Sequence, residues 1–209
     1  MKKNRVSLFL VVALLGLLFA PAVAGDIGMD VFLGNSWHTG QSIQVGSHFI
    51  ADPKWETRPF SADYWYYAAR IRWGGLEVEW LHDKVYMGYD TDHVKGFNIS
   101  DGYNFLLFNS VKKWGPWEGR LGAGPIIVHP EGVVDGYEIG FHGGPHWRLG
   151  GIGFQGALGY RGNLWGGFSY IVEGKLTTGV VHLTYPAPIH EVHAPVTGYH
   201  LVFGIGYDW

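Results

Sequence analysis

The 209-residue chain contains no cysteine. No disulfide framework holds the fold, and a thiol nucleophile or a cysteine-ligated metal is excluded. Charge is also scarce. Asp, Glu, Lys and Arg make up 16% of the residues, against about 25% in ordinary soluble domains. The formal charge of -3 is too small to indicate a nucleic-acid partner. Beyond residue 24 no apolar run approaches the roughly 20 residues that a spanning helix needs. There is no Walker-type phosphate loop and no dinucleotide fingerprint. Ser100, Ser110 and Ser169 have acids nearby, but no serine sits in a nucleophile-elbow context. The abundant residues are 33 glycines, 10 tryptophans and 12 tyrosines.

The N-terminus has the three parts of a secretory signal peptide. A basic start, Met1-Lys2-Lys3-Asn4-Arg5, precedes an apolar run from Val6 to Ala20 and the small-residue segment Pro21-Ala22-Val23-Ala24-Gly25. Cleavage is expected after Ala24, leaving residues 25–209 as one domain. A secreted chain rich in aromatics, glycine and alternating patterns points to an all-β, eight-stranded antiparallel transmembrane barrel of the outer-membrane type.

The last segment carries this expectation best. Tyr199, Leu201, Phe203, Ile205, Tyr207 and Trp209 alternate with His200, Val202, Gly204, Gly206 and Asp208. One face suits lipid and the other a narrow interior. The aromatic ending resembles the C-terminal strand by which the barrel-assembly machinery recognises outer-membrane proteins. Further strands are expected near 27–33, 65–73, 76–86, 103–111, 120–129, 149–160 and 165–185, with Gly174 and Gly179 as candidate kinks in the last of these. Gly74-Gly75 marks a tight hairpin. Across it Arg70 and Arg72 face Glu77 and Glu79 on the inner face, where paired charges can fill a small barrel. Gly122-Ala123-Gly124 and Gly150-Gly151 read as thin wall. Short connections near 74–75, 112–119 and 161–163 are expected in the periplasm. The longer ones, 39–61, 87–102, 130–148 and 186–197, are expected outside. All 11 histidines fall in or next to the outer loops, where metal binding, acid-base chemistry and a merely polar rim are all open.

Parity narrows the site. His82 shares parity with Leu76, Val78 and Trp80, and His129 with Leu121, Ala123 and Ile127. Asp101 shares parity with Tyr103, Phe105 and Leu107. Absent a bulge, His82, Asp101 and His129 point outward from three neighbouring strands at the outer leaflet. Two imidazoles and a carboxylate suit a divalent metal with positions left open. Asp83, Lys84, Asn104 and Glu131 lie close enough to orient ligands or contact sugar and phosphate.

At these residues the chain resembles the lipid A oxidase family of outer-membrane barrels. The likeness runs through Trp55-Glu56, the aromatic run from Tyr64 to Trp73, and Gly75-Leu76-Glu77-Val78-Glu79-Trp80-Leu81-His82-Asp83-Lys84-Val85-Tyr86. It continues through Ile99-Ser100-Asp101-Gly102-Tyr103-Asn104, Gly122-Ala123-Gly124-Pro125 and Val128-His129-Pro130-Glu131. Residues 132–197 match loosely, and Glu173 with Lys175 forms a Glu-x-Lys feature common to many small outer-membrane barrels. The resemblance implies oxidation of the proximal glucosamine of lipid A to an aminogluconate unit, with molecular oxygen as co-substrate and a divalent metal involved. The implied partners are lipopolysaccharide and the surrounding outer-membrane lipid. A lipid A deacylase, with an outward serine bonded to a histidine, is one alternative. A non-catalytic barrel that binds lipopolysaccharide, adheres or stabilises the envelope is another.

Overall fold

The computed structural model describes residues 27–39, 43–50, 54–56, 66–88, 93–139, 147–184 and 190–209; the expected signal peptide lies outside them. The wall is built from β1 (Ile27–Thr39), β5 (Tyr66–Trp73), β6 (Leu76–Gly88), β7 (Val94–Trp114), β8 (Trp117–Val134), β10 (Arg148–Asn163), β11 (Phe168–Thr184) and β12 (Glu191–Asp208). Each pairs antiparallel with the next, and β12 returns to β1 in continuous register from Gly28↔Asp208 to Thr39↔Thr197. The sheet is thereby a closed eight-stranded barrel, with no unpaired edge in its wall. Four short strands, β2 (Ile43–Val45), β3 (His48–Ile50), β4 (Lys54–Glu56) and β9 (Tyr137–Ile139), pair onto it.

Several strands outrun their apolar patterns on the side of the long loops. β7 begins at Val94, β8 continues to Val134, and β12 begins at Glu191. Much of the expected outer loops 87–102 and 186–197 is therefore hydrogen-bonded wall. Beyond the apolar band the inner positions stay buried, as at Val134, Val192 and Ala194, while outward ones carry polar residues such as Glu191 and His193, so the lipid-facing half of the pattern stops before the strand does. On the opposite side one turn is shorter than expected and another lies further along the chain, since β10 runs through 161–163 to Asn163 and β11 begins at Phe168. Trp114 pairs with Trp117 across Gly115-Pro116. No kink occurs at Gly174 or Gly179, since β11 keeps unbroken register with β10 and β12.

Outward positions are apolar on nearly every strand: Val31 and Leu33, Phe108, Leu121, Ile152 and Phe154, Leu201 and Phe203 are all exposed. Near the short turns aromatic rings gather, with Trp117 against Tyr160 and Phe168 against Tyr207. An apolar band edged by aromatics is what a lipid-embedded barrel presents.

Inside, charge is neutralised rather than avoided. Arg70, Arg72, Arg120, Arg161 and Lys175 interleave with Asp30, Glu77, Glu79, Glu118 and Glu173, all largely or wholly buried. Arg70 alone reaches Glu173 at 2.7 Å, Glu77 and Glu79 at 3.3 Å and Asp30 at 3.5 Å. The hairpin at Gly74-Gly75 sets this up by pairing Arg70 with Glu79 and Arg72 with Glu77. Toward the long-loop end the interior turns apolar, through Leu81, Phe105, Ile126, Val128, Val181 and Val196. Some of these rings need glycine opposite them: a Cβ on Gly153 would come within 2.4 Å of the Phe105 ring, and one on Gly204 within 2.5 Å of Phe32.

Candidate functional site

His82 and His129 both lie on the outward parity. His82 shares a cross-strand row with Tyr67, Asn104, Ile127 and Leu149. It is nonetheless only 6% exposed, because its ring stacks on Tyr67 with centroids 4.3 Å apart and 27° between planes. Trp80 closes the side, 6.3 Å from the imidazole. His82 Nδ1 lies 2.9 Å from Asn104 Oδ1. The Asn104 amide nitrogen points to Ile127 O, at 3.5 Å, which orients the amide with its oxygen toward His82. That oxygen can only accept, so Nδ1 carries the proton and the lone pair of the neutral ring is on Nε2. The result is a polar pair fastened on the membrane-side surface.

His129, 7% exposed, stacks on Trp147 at 5.7 Å and 29°. Trp147 flanks β10, whereas Tyr67 lies on β5, so the two imidazoles rest on aromatic partners on opposite sides of β7. The strands bearing them are two interstrand steps apart, about 10 Å. His82 and His129 belong to no group of three metal-ligand atoms within 4.8 Å among the described residues, which do not include the Asp101 side chain.

The fourth predicted strand has its faces reversed. Tyr103, Phe105 and Leu107 are fully buried inside the barrel, while Asn104, Leu106, Phe108 and Ser110 take the outward parity. The premise that put Asp101 outward therefore fails, and the register with β8 also shifts between Ile99 and Tyr103. The shift against β6 between Asp83 and Val85 is the same irregularity seen from the other neighbour, since Asp83 pairs with Tyr103 and Val85 with Ile99. The β7 segment between Ile99 and Tyr103 is thus longer than its partners on both sides, a bulge at the rim, where side chains are re-aimed. Asn104 holds the outward place on β7 instead. The side chains of Lys84, Asp101 and Glu131 lie outside the described residues.

Asp83 points inward. It is 1% exposed and accepts from His38 Nε2 at 2.6 Å, with His200 Nδ1 4.0 Å away. Ser36 Oγ and Thr177 Oγ1 lie 2.9 and 2.8 Å from the two His200 nitrogens, and Tyr66 packs 4.9 Å from the ring. Sequence reasoning left this interior cluster unassembled, although the signal was present: His38 and His200 share the inner parity of Ser36 and Val202, and Asp83 that of Glu79. A serine–histidine hydrogen bond thus exists, but inside the wall rather than facing acyl chains, which is not the geometry expected of a deacylase.

Two further clusters stand at the outer rim. His48 and His93 both bond Asp135, and His182, Glu191 and His193 converge at the β11–β12 end. The hydrogen bond from His48 lowers the Asp135 pKa, and that from His193 lowers the Glu191 pKa, both from ordinary carboxylate values.

The closed wall, its apolar outer band and the charge-filled interior place this chain in a bacterial outer membrane. It is an outer-membrane β-barrel. No protein-family model and no curated protein sequence matches it. Solved structures resemble it in architecture. Neisserial surface protein A is similar with a TM-score of 0.44 and 10% identity over 88% of this chain and 97% of that one. The attachment invasion locus protein Ail of Yersinia pestis gives 0.43 and 10% over 88% and 99%. Outer membrane protein OprG of Pseudomonas aeruginosa gives 0.45 and 11% over 90% and 97%. At such identities the likeness extends to the fold alone.

Proposed function

We propose that this barrel engages lipid A in the outer leaflet through the outward face of β5–β8 and oxidises its proximal glucosamine, as the resemblance to lipid A oxidases implies. The observation that carries the reading is the His82–Asn104 pair. A barrel that merely sits in lipid is served by aliphatic or aromatic side chains there, and placing a hydrogen-bonded polar pair on that face has a desolvation cost. A sugar headgroup arriving sideways from the leaflet is a partner that repays it.

In this reading Asn104 holds His82 as the neutral tautomer whose Nε2 accepts the proton of the anomeric hydroxyl. As that O–H bond breaks, the C1–H hydrogen leaves with its electron pair and a C1=O lactone forms. Molecular oxygen takes up the two electrons and becomes hydrogen peroxide. Water then opens the lactone to the aminogluconate, a net gain of one oxygen atom. The reaction requires a free anomeric hydroxyl. No step is routed through the divalent metal that the resemblance also implies.

The test is mass spectrometry of lipid A from cells with and without the chain, aerated and anaerobic. Gain of one oxygen, dependent on air and lost in His82→Ala, supports the reading. Loss of an acyl chain would identify a deacylase. An unchanged lipid A spectrum would leave a non-catalytic barrel and overturn the enzymatic reading.

A further inference from the structure

Above the membrane, side chains from three separate parts of the sequence meet. His48 opens β3, His93 immediately precedes β7, and Asp135 stands in the turn between β8 and β9. His48 Nε2 lies 2.9 Å from Asp135 Oδ2, and His93 Nδ1 lies 3.0 Å from Asp135 Oδ1. The two imidazoles stack with centroids 4.8 Å apart and only 9° between planes. One ligand atom from each residue lies within 4.8 Å of the others.

The frame under these side chains is hydrogen-bonded. Asp135 N donates to His93 O at 2.7 Å. Asp135 and Gly136 have φ of 49° and 82°, the left-handed pair that a two-residue type I′ hairpin demands and that Asp-Gly supplies. The β2–β3 hairpin pairs Val45 with His48 internally and reaches the wall through Val45↔Val192. Each ligand therefore stands on a turn or hairpin with its own backbone bonds, independent of any ion.

A divalent ion between the ring nitrogens and the carboxylate would take a lone pair from each imidazole and offset the carboxylate's charge. The N,N,O donor set suits zinc, nickel or copper rather than the oxygen-seeking calcium or magnesium. We propose that His48, His93 and Asp135 form a transition-metal site that clasps the β2–β3 hairpin to the β7–β8–β9 end of the barrel. Three protein ligands leave a coordination position for water or an outside donor. The site stands independently of the oxidase reading.

The comparison that isolates it uses the other rim cluster. His182 and His193 are direct cross-strand partners with rings 4.1 Å apart, and Glu191 lies 3.1 Å from His193. That set belongs to a single pair of adjacent strands and links nothing else. The full barrel refolded in detergent micelles, carrying His182→Ala and His193→Ala, is titrated with zinc by calorimetry. One zinc per chain is expected. Adding His48→Ala, His93→Ala or Asp135→Asn should weaken it by about tenfold or more, since metal sites respond on that scale even to the loss of supporting groups. Asn tolerates the left-handed turn, and gel mobility before and after heating checks folding. Because the chain has no cysteine, Ser47→Cys and Glu138→Cys accept spin labels cleanly. Zinc should narrow their distance distribution only while both histidines are present. Zinc affinity unchanged by these substitutions, or no zinc bound at all, overturns the site; an unchanged label distribution overturns the clasp.

Discussion

His82 Nδ1 donates to Asn104 Oδ1 at 2.9 Å across two neighbouring strands, on the side of the wall that faces lipid. A polar pair in that place is unusual for a barrel, because outward side chains lie where water is scarce and unsatisfied groups are costly. The bond satisfies the pair and fixes which ring nitrogen carries the proton. Stacking on Tyr67 fixes the plane of the ring.

Asn104→Leu removes that control while preserving bulk. Taking the acceptor away from the buried His82 Nδ1–H should cost about 1–3 kcal/mol, a loss that should still let the barrel assemble and show its heat-dependent gel shift. If His82 acts as the base, oxidised lipid A should fall by about a hundredfold, the lower range for a correctly placed acid-base group. Oxidised product at wild-type level in mass spectra of Asn104→Leu cells would remove Asn104 from the site.

Arg70 is the hub of the interior, touching Asp30, Glu77, Glu79 and Glu173. Arg70→Ala leaves these carboxylates buried without their shared cation, which should cost about 3–5 kcal/mol. Urea unfolding in lipid vesicles, followed by tryptophan fluorescence, measures it. A joint replacement, Arg70→Met with Glu79→Leu, should cost less than the sum of the single changes because the partners act on one another. Additive losses would mean that the network is not coupled.

Much of this interior was legible from residue order. The Gly74-Gly75 hairpin and a period of two put Arg70 and Arg72 opposite Glu79 and Glu77, and the last strand separates Leu201 and Phe203 from Val202 and Gly204 without ambiguity. The stretch Tyr103-Asn104-Phe105-Leu106-Leu107-Phe108 was not legible in the same way. Both of its faces are largely apolar, so alternation cannot tell lipid from core, and Asp101 was assigned outward from the wrong face. The bulge on β7 between Ile99 and Tyr103 leaves no mark in composition. The interior cluster of His38, Asp83 and His200 was hidden for another reason: its members are remote in sequence and meet only when β12 closes on β1.

Glycine opposite an aromatic ring gives a third prediction. Any side chain at Gly153 would collide with Phe105, and Phe105 is fully buried between strands that cannot separate without breaking ladder bonds. Gly153→Val should destabilise the barrel by about 1–3 kcal/mol through overpacking. Combining it with Phe105→Ala should cost less than the sum of the two single changes, because the new side chain then occupies part of the vacated space. The midpoint of urea unfolding for both single variants and the double is the readout, and additive losses would show that Phe105 is not the obstacle.

Phe203 tests where the membrane lies. It is 56% exposed and pairs with Leu33 on one side and Val172 on the other, with Leu201 and Ile205 above and below it on the same face. If this face meets hydrocarbon, Phe203→Arg places a cation far from either headgroup region, at about 2–4 kcal/mol in lipid vesicles. Arginine at Trp209, beside the periplasmic interface, should cost about 1 kcal/mol or less by the same depth dependence. Comparing the two variants in vesicles and in detergent separates lipid exposure from packing. A penalty at Phe203 that is as large in detergent as in vesicles would show that the side chain packs against protein, and the outward assignment of β12 would have to be withdrawn.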